Sequence, residues 1–318
     1  MTSYCEAGNH KVLMLLTSDF VKSRYEELRA RMPMLQIITE LGTEPDPDVT
    51  ALFSFKLPSG IAPRLPNLRL AASVGAGADG ILAAEDLPEN VRVTRVMDPG
   101  LGSSMAQYVA LQILARFRSL SRLQTQHMAG EWRRIPVPDA SKVTVGIMGL
   151  GSIGAVVASA MEGLGFRVIG WTRSDARAVS IPVFIGKRNI EPFLEQCDYL
   201  VCLLPFTAET VGLIDHSLLS KLPKGSYFIN VARGGIVVES DLLKLIDEGQ
   251  LSGAALDVFE TEPLPPASAF WRREEVLVTP HIAAQPSVIP AVEQFLDNLC
   301  RLTDGKPLIG EIDRSRGY

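Results

Sequence analysis

The sequence predicts an α/β protein of two doubly wound parallel-sheet domains with a cleft between them. Short apolar runs alternate with helical stretches in the first third of the chain, which is typical of parallel sheets. After the polar, proline-rich segment 130–142, the alternation restarts more strongly at Val143. A chain of 318 residues that is 47% hydrophobic has enough length and apolar content for two domains.

The first series predicts strands in the apolar runs 11–16, 35–39, 50–54 and 68–73 and a helix over 18–32. A long helix is predicted from about Ser103 to Leu123. The last helix, over about 286–302, is expected to cross back and pack on the first domain, which would make that domain discontinuous. The second series predicts six strands, in the stretches VTVGIM, FRVIGW, DYLVCLL, SYFINV, GAALDV and EVLVTP.

The composition excludes several functional classes. The formal net charge of −5 argues against a nucleic-acid surface, and the sequence has no apolar run of membrane-spanning length. The first ten residues do not resemble a signal peptide. The four cysteines have no metal-knuckle spacing, so we expect reduced thiols in a cytoplasmic protein without a metal site.

A glycine-rich turn follows the first strand of the second series. Gly149, Gly151 and Gly154 form the pattern GxGxxG between an apolar strand and a helix. Such glycines permit a tight turn, close approach of a pyrophosphate and close helix–strand packing. Ser152 and Ile153 begin the helix, where N–H groups bind phosphate. The turn predicts a dinucleotide-binding domain of the Rossmann kind, and the general architecture is Rossmann- and flavodoxin-like.

The next strand predicts which dinucleotide is bound. An NAD site usually has an acidic residue about 20 residues beyond the turn, which accepts a hydrogen bond from the ribose 2′-hydroxyl. This chain instead has Trp171, followed by Thr172, Arg173 and Ser174. Arginine and hydroxyl side chains suit a 2′-phosphate, so we expect NADP to be preferred over NAD. The alternative is that Arg173 is a solvated surface charge.

Three downstream residues have the chemistry of a ketone reductase. Arg233 follows an apolar strand, Glu262 lies in a proline-rich loop, and His281 follows a strand and a proline. Histidine suits proton transfer near neutral pH, a carboxylate favours its charged form, and arginine stabilises negative charge on oxygen. The alternatives are an interface salt bridge for Arg233, a loop charge for Glu262 and a buried core histidine for His281.

As a set, these motifs resemble the D-isomer-specific 2-hydroxyacid dehydrogenases over nearly the whole chain. The stretches GLGSIG, LLPFTAETVGLI, NVARGGIVVESDLL, GAALDVFETEPLP and VTPHIAA occur in the usual order of that family. The chain is most similar to the glyoxylate/hydroxypyruvate reductase A branch, through SVGAGADGIL, MAQYVALQILARFR, PLPPASAFW and IDRSRGY.

The resemblance implies a substrate-binding domain of residues 1–97 plus 286–318 and an NADP-binding domain of residues 98–285. It implies Arg233, Glu262 and His281 as the catalytic set. It also implies Asp257 beside the nicotinamide carboxamide. The further cofactor contacts that it implies are Leu204, Pro205, Thr210 and Ala232.

The resemblance places the substrate carboxylate on the backbone N–H groups of the turn Gly75, Ala76 and Gly77. The further predicted substrate contacts are Phe55, Arg233 and His281, and Arg233 could bind the same carboxylate. It implies a homodimer built around the helix predicted at 103–123. Trp132 would then join the interface or reach the partner's site, and the sequence does not choose between these roles.

The predicted function is NADPH-dependent reduction of a small 2-keto acid, such as glyoxylate or hydroxypyruvate, to the D-2-hydroxy acid. Phe55 lies in a loop, 52–60, that departs from the A branch and could favour bulkier substrates such as phenylpyruvate. Two other hypotheses for the function remain. One is an oxidising dehydrogenase of formate or 3-phosphoglycerate, and the other is a corepressor-like protein that senses the dinucleotide without turning it over. Formate enzymes place Gln at the position of Glu262.

Overall fold

The computed structural model describes residues 10–174 and 179–317. They divide into two compact units, one within Met1–Gly100 and Gln285–Tyr318 and the other within Leu101–Ala284. Each unit contains one sheet in which every strand pair is parallel. The prediction of two parallel-sheet α/β domains is therefore confirmed. No helix within the described residues combines the length and apolarity that crossing a membrane requires.

Within residues 10–100 and 285–317, the first unit forms five strands and three helices. They are β1 (Lys11–Leu13), α1 (Asp19–Arg31), β2 (Gln36–Ile38), β3 (Val49–Ser54), β4 (Leu70–Ser73), α2 (Asp79–Leu82), β5 (Arg92–Thr94) and, at the end of the chain, α9 (Val288–Thr303). The sheet order β2-β1-β3-β4-β5 reverses direction between β1 and β3. Such a switch point opens a crevice at the carboxyl ends of the strands.

The last helix belongs to the core of the first unit. α9 packs against α1 and β4, although more than 180 residues separate it from β4. The rings of Phe53 in β3 and Phe295 in α9 stack with centroids 4.2 Å apart. Leu296 and Leu299 are fully buried in the same cluster. The apolar face of α9 thus completes a core begun by the first hundred residues.

The described residues of the second unit form seven strands and six helices. They are α3 (Gly100–Phe117), α4 (Leu120–Met128), β6 (Thr144–Met148), α5 (Ser152–Gly163), β7 (Arg167–Thr172), β8 (Val183–Ile185), α6 (Ile190–Leu194), β9 (Tyr199–Cys202), α7 (His216–Leu219), β10 (Ser226–Asn230), α8 (Glu239–Asp247), β11 (Leu251–Leu256) and β12 (Val276–Val278). The sheet order is β12-β11-β10-β9-β6-β7-β8, with the switch point between β6 and β9. The carboxyl ends of these strands lead into the candidate site.

The single helix predicted over 103–123 is wrong. α3 ends at Phe117 and α4 begins at Leu120. Ser119 between them has a left-handed backbone, with φ of 54°. That conformation cannot continue a right-handed helix, so the hydrogen-bond ladder breaks and restarts. The hydrophobic spacing across the break remained helical, and therefore the sequence pattern concealed it.

Candidate active site

Two glycines of the phosphate-binding turn are required by contacts within the protein. Gly149 follows β6 with φ of 107°, and a Cβ atom there would lie 2.7 Å from the carbonyl oxygen of Leu203. A Cβ atom on Gly154 would lie 2.0 Å from the carbonyl oxygen of Gly149. Both distances are shorter than real Cβ contacts. The glycine-rich loop therefore packs closely against both the end of β9 and the start of α5, as the motif predicts.

The third glycine has no close neighbour among the described residues. A Cβ atom on Gly151 would meet none of their atoms within 4 Å, so packing against them does not explain this glycine. No side chain caps the N-terminus of α5, which begins at Ser152 and continues through Ile153. Uncapped N–H groups at a helix N-terminus favour a negatively charged ligand. These residues fit the pyrophosphate of a dinucleotide, with room for its close approach at Gly151.

The end of β7 carries a positive charge where many dinucleotide sites carry a negative one. Trp171 is only 4% exposed, and its indole N–H donates to the carbonyl of Gly186 at 3.1 Å. It is a core residue. Thr172 is half-buried, and Arg173 and Ser174 follow it near the surface. The guanidinium of Arg173 forms an ion pair with Glu209.

The four further predicted cofactor contacts lie in two loops. Leu204 and Ala232 are 8% and 7% exposed, so their side chains belong mainly to the core. The Thr210 hydroxyl donates to the carbonyl of Pro205 at 2.7 Å, which closes the loop after β9. These contacts shape the loops, and the roles of all four residues toward a cofactor remain predictions.

Arg233 lies just beyond the carboxyl end of β10, as predicted. Its Nη1 donates to the carbonyl oxygen of Ala232 at 2.7 Å, which turns the guanidinium back along the chain. A Cβ atom on Gly234 would lie 1.8 Å from the carbonyl carbon of Phe259. The backbone after Arg233 is thus in contact with the segment that leads to Glu262.

Glu262 and His281 form a hydrogen-bonded pair. The Nδ1 atom of His281 lies 2.8 Å from Oε2 of Glu262, and Oε1 of Glu262 accepts from the backbone N–H of Phe259 at 3.0 Å. The two side chains are 34% and 36% exposed. The carboxylate is therefore fixed at both oxygens, while the pair stays accessible to a ligand.

The electrostatic environment keeps Glu262 ionised. Burial disfavours its charged form, and hydrogen bonds from His281 and from the N–H of Phe259 oppose that effect. The positive charges of His281 and Arg233 act in the same direction, and together they hold the pKa of Glu262 below its usual value. Because Arg233 contributes, the three predicted catalytic residues act on one another.

His281 has a left-handed backbone, with φ of 55°. Such a conformation is uncommon outside glycine and costs roughly 1–3 kcal/mol, so surrounding contacts must enforce it. The backbone N–H of His281 donates to the carbonyl of Asp257 at 2.8 Å. The Asp257 carboxylate accepts from the N–H groups of Ile282 and Ala283, each at 2.8 Å.

Asp257 itself is 2% exposed, and both of its carboxylate oxygens accept hydrogen bonds from the protein. Its side chain thus anchors the loop that carries His281. The contact with a nicotinamide carboxamide that the resemblance implies remains a prediction.

The predicted substrate residues of the first unit surround one turn after β4. The N–H of Gly75 donates to the hydroxyl of Ser73 at 3.1 Å, and is therefore already used within the protein. That hydroxyl in turn donates to the carbonyl of Gly77 at 2.6 Å. A Cβ atom on Gly75 would lie 3.0 Å from the ring of Phe55, so the ring packs directly on the turn. The N–H groups of Ala76 and Gly77 are the better candidates for binding a carboxylate.

Three further side chains of the second unit contact the site, and no sequence motif predicted them. Glu209 pairs with Arg173, Thr279 donates a hydrogen bond to Asp257, and Tyr108 is hydrogen-bonded to Thr279. Thr279 stands two residues before His281, so its proximity could have drawn attention to it. Tyr108 and Glu209 gave no signal because their partners are distant in sequence.

Comparison with known proteins identifies the family. Residues 110–283 match the family model described as "D-isomer specific 2-hydroxyacid dehydrogenase, NAD binding domain". This range covers more than half of the chain and contains Arg233, Glu262 and His281.

Solved structures agree over almost the full length. A D-isomer specific 2-hydroxyacid dehydrogenase from Xanthobacter autotrophicus Py2, solved with NADPH and MES, is 35% identical, with 98% of this chain and 100% of that chain covered and a TM-score of 0.88.

The NADPH-dependent glyoxylate/hydroxypyruvate reductase SmGhrA from Sinorhizobium meliloti, solved with NADP and sulfate, is 34% identical, with 97% and 100% covered and a TM-score of 0.88. A probable 2-hydroxyacid dehydrogenase from Rhizobium etli CFN 42, solved with NADP, HEPES and L(+)-tartaric acid, is 31% identical, with 97% and 99% covered and a TM-score of 0.87. With its two parallel sheets, its glycine turn and its match to the family model, the chain belongs to the D-isomer specific 2-hydroxyacid dehydrogenases, a family of oxidoreductases.

Proposed function

We propose that the protein reduces a small 2-keto acid to the D-2-hydroxy acid with NADPH. The observation that carries the proposal is the pair of Glu262 and His281, joined at 2.8 Å and partly exposed. A histidine held by an ionised carboxylate is suited to give a proton near neutral pH. Relatives at 31–35% identity that were solved with NADP or NADPH support the choice of cofactor.

Each residue of the set has a defined task. When bound, the reduced nicotinamide supplies a hydride to the carbonyl carbon of the keto acid. The imidazolium of His281 gives its proton to the carbonyl oxygen, so that ketone, hydride and proton yield the alcohol. Glu262 stabilises the imidazolium, and Arg233 stabilises the negative charge that develops on the oxygen.

The proposed site has distinct regions for the parts of the cofactor and substrate. The N-terminus of α5 and Gly151 would hold the pyrophosphate, and Thr172, Arg173 and Ser174 would hold the 2′-phosphate. The N–H groups of Ala76 and Gly77 would bind the substrate carboxylate.

The substrate itself is proposed to be small, such as glyoxylate or hydroxypyruvate, the substrates in the name of SmGhrA. One observation favours an aromatic keto acid as the second candidate. Phe55 packs on Gly75 and meets Phe20 edge to face, with centroids 6.0 Å apart. An aromatic surface beside a carboxylate-binding turn suits a substrate such as phenylpyruvate.

The test is a panel of glyoxylate, hydroxypyruvate, pyruvate and phenylpyruvate, each assayed with NADPH and with NADH by absorbance at 340 nm. We expect oxidation of NADPH with at least one of the four acids. Tight cofactor binding without turnover of any acid would instead support a dinucleotide sensor. Consistent preference for NADH would contradict the proposed role of Arg173.

We also propose that the protein forms a homodimer and acts in the cytoplasm. Large apolar side chains are exposed along α3, α4 and the following loop, which supports self-association. They are Leu111, Leu120, Leu123, Met128, Trp132 and Val137.

A further inference from the structure

A chain of hydrogen bonds joins the loop of His281 to helix α3. The hydroxyl oxygen of Tyr108 in α3 lies 2.6 Å from Oγ1 of Thr279. That hydroxyl of Thr279 donates to Oδ1 of Asp257 at 2.6 Å. No sequence motif connects Tyr108 with the catalytic set, which lies more than 120 residues farther along the chain.

The direction of each hydrogen bond follows from the donors available. The hydroxyl of Thr279 has a single proton, which it donates to Asp257. Tyr108 must therefore donate to Thr279. Burial raises the pKa of Tyr108 to about 12, which keeps the hydroxyl protonated over the working pH range.

This series of hydrogen bonds ends beside His281, the residue of the site with a strained backbone. Asp257, the last acceptor, also binds the N–H groups of Ile282 and Ala283, directly after His281. The backbone N–H of His281 donates both to the carbonyl of Asp257 at 2.8 Å and to that of Thr279 at 3.1 Å. These bonds hold the left-handed conformation that His281 would not adopt by itself.

We propose that Tyr108 is a positioning residue for His281, acting through Thr279 and Asp257. It fixes the backbone from which the imidazole reaches both Glu262 and the substrate. The inference rests on the proposed role of His281 as proton donor. Loss of the tyrosine hydroxyl leaves Thr279 with one partner fewer, and the His281 loop becomes less closely defined.

The test compares Tyr108→Phe with Tyr227→Phe. Tyr227 is a buried tyrosine of the same core cluster and lies outside this chain of hydrogen bonds. We expect Tyr108→Phe to lower kcat roughly ten-fold, within the loss of about 100-fold that a 1 Å displacement at a reacting centre can cause. KM for NADPH should stay within two-fold, and Tyr227→Phe should behave as wild type. An unchanged kcat in Tyr108→Phe would overturn the inference.

The same substitution in a His281→Ala background separates positioning from general structural damage. If Tyr108 acts through His281, the residual rate of His281→Ala should not fall further when Tyr108→Phe is added. An equal loss in both backgrounds would overturn the inference. Near-normal turnover by His281→Ala alone would overturn the proposed function, and the inference with it.

Variants of Thr279 test the same positioning role if Tyr108→Phe folds poorly. Thr279→Val removes the hydroxyl and keeps the shape, whereas Thr279→Ser keeps the hydroxyl. We expect the ten-fold loss of kcat in Thr279→Val and its recovery in Thr279→Ser. Equal activity of the two variants would overturn the inference.

Discussion

Arg173 is the residue on which the proposed cofactor preference depends. Its guanidinium pairs with Glu209, a side chain in the loop after β9. The side chains are 38% and 54% exposed, so the pair is weak and readily displaced. A 2′-phosphate and the Glu209 carboxylate would compete for the same cation. Glu209 is therefore expected to weaken NADPH binding.

We predict opposite effects for the two partners. Arg173→Gln should raise KM for NADPH roughly ten-fold or more, because a hydrogen bond to a charged group contributes about 1.5–3 kcal/mol. KM for NADH should change little. Glu209→Gln should lower KM for NADPH. Arg167→Gln is the control, since Arg167 begins the same strand that ends beside Arg173. Steady-state kinetics with both cofactors measures all three, and equal losses for NADPH and NADH in Arg173→Gln would contradict the assignment.

Glu262 should also couple stability to pH. Its pKa is lowered in the folded protein, so its ionised form stabilises the fold above its unfolded pKa of about 4.5, and this stabilisation is lost as pH falls through the folded pKa. We predict that Glu262→Gln lowers the thermal unfolding temperature at pH 7 and that the difference from wild type shrinks in acid. Scanning calorimetry between pH 3.5 and 7 measures it.

Glu260→Gln, a change of an exposed carboxylate two residues away, is the control for that measurement. It should leave the unfolding temperature nearly unchanged across the same range. A gap between wild type and Glu262→Gln that stayed constant with pH would show that the carboxylate charge is not its source.

At the scale of elements, the glycines at the start of helix α5 have two different tasks. Two of them allow close packing within the protein, and one leaves room for a ligand. Gly149 and Gly154 contact backbone atoms, whereas a methyl group on Gly151 would meet only open space. We predict that Gly151→Ala folds as well as wild type but binds NADPH at least ten-fold more weakly, because the methyl group blocks the pyrophosphate. Titration of protein fluorescence with NADPH measures the affinity.

Gly163 at the other end of α5 is the matched control. A Cβ atom there also meets nothing within 4 Å. Gly163→Ala should keep full NADPH affinity, and it should stabilise the fold by up to about 1 kcal/mol, the difference in helix propensity between the two residues. If both variants bound NADPH normally, the turn would not hold the pyrophosphate.

The sequence predicted these elements with unequal success, for physical reasons. The turn at Gly149 was readable because its glycines recur at a fixed spacing, and the close contact of Gly154 with Gly149 spans only five residues. The break at Ser119 was not, because the apolar spacing continues across it and one dihedral angle decides the outcome. The pairing of Tyr108 with Thr279 spans 171 residues. Only the folded chain brings Tyr108 of α3 to Thr279, which follows the end of β12.

For the whole molecule, the family resemblance predicted more than the residue patterns alone. Patterns identified the charges of Arg233, Glu262 and His281 as candidates, and the structure joins the last two in a hydrogen bond. The turn at Gly75 was predicted as a carboxylate site, but its own N–H is bound to Ser73. A backbone group's partner depends on side-chain rotamers, which sequence patterns do not encode.

The exposed apolar segment from α3 to Val137 supports the last prediction. Trp132 and Met128 are 100% and 84% exposed, and Leu111 in α3 is 59% exposed. Large exposed apolar side chains gathered in one segment of the chain favour an interface. We predict that the protein has twice the mass of one chain in solution at micromolar concentration, and that Leu111→Asp shifts it toward the monomer by burying an unpaired charge at the interface.

Light scattering after size exclusion measures the mass. Met34→Asp is the control, because Met34 is 83% exposed and lies outside this segment. It should leave the mass unchanged. If Leu111→Asp dissociates the protein and lowers kcat while the fold remains intact, the second chain contributes to catalysis. If the monomer keeps full activity, Trp132 belongs to the interface alone. A wild-type protein with the mass of a single chain would rule out the dimer.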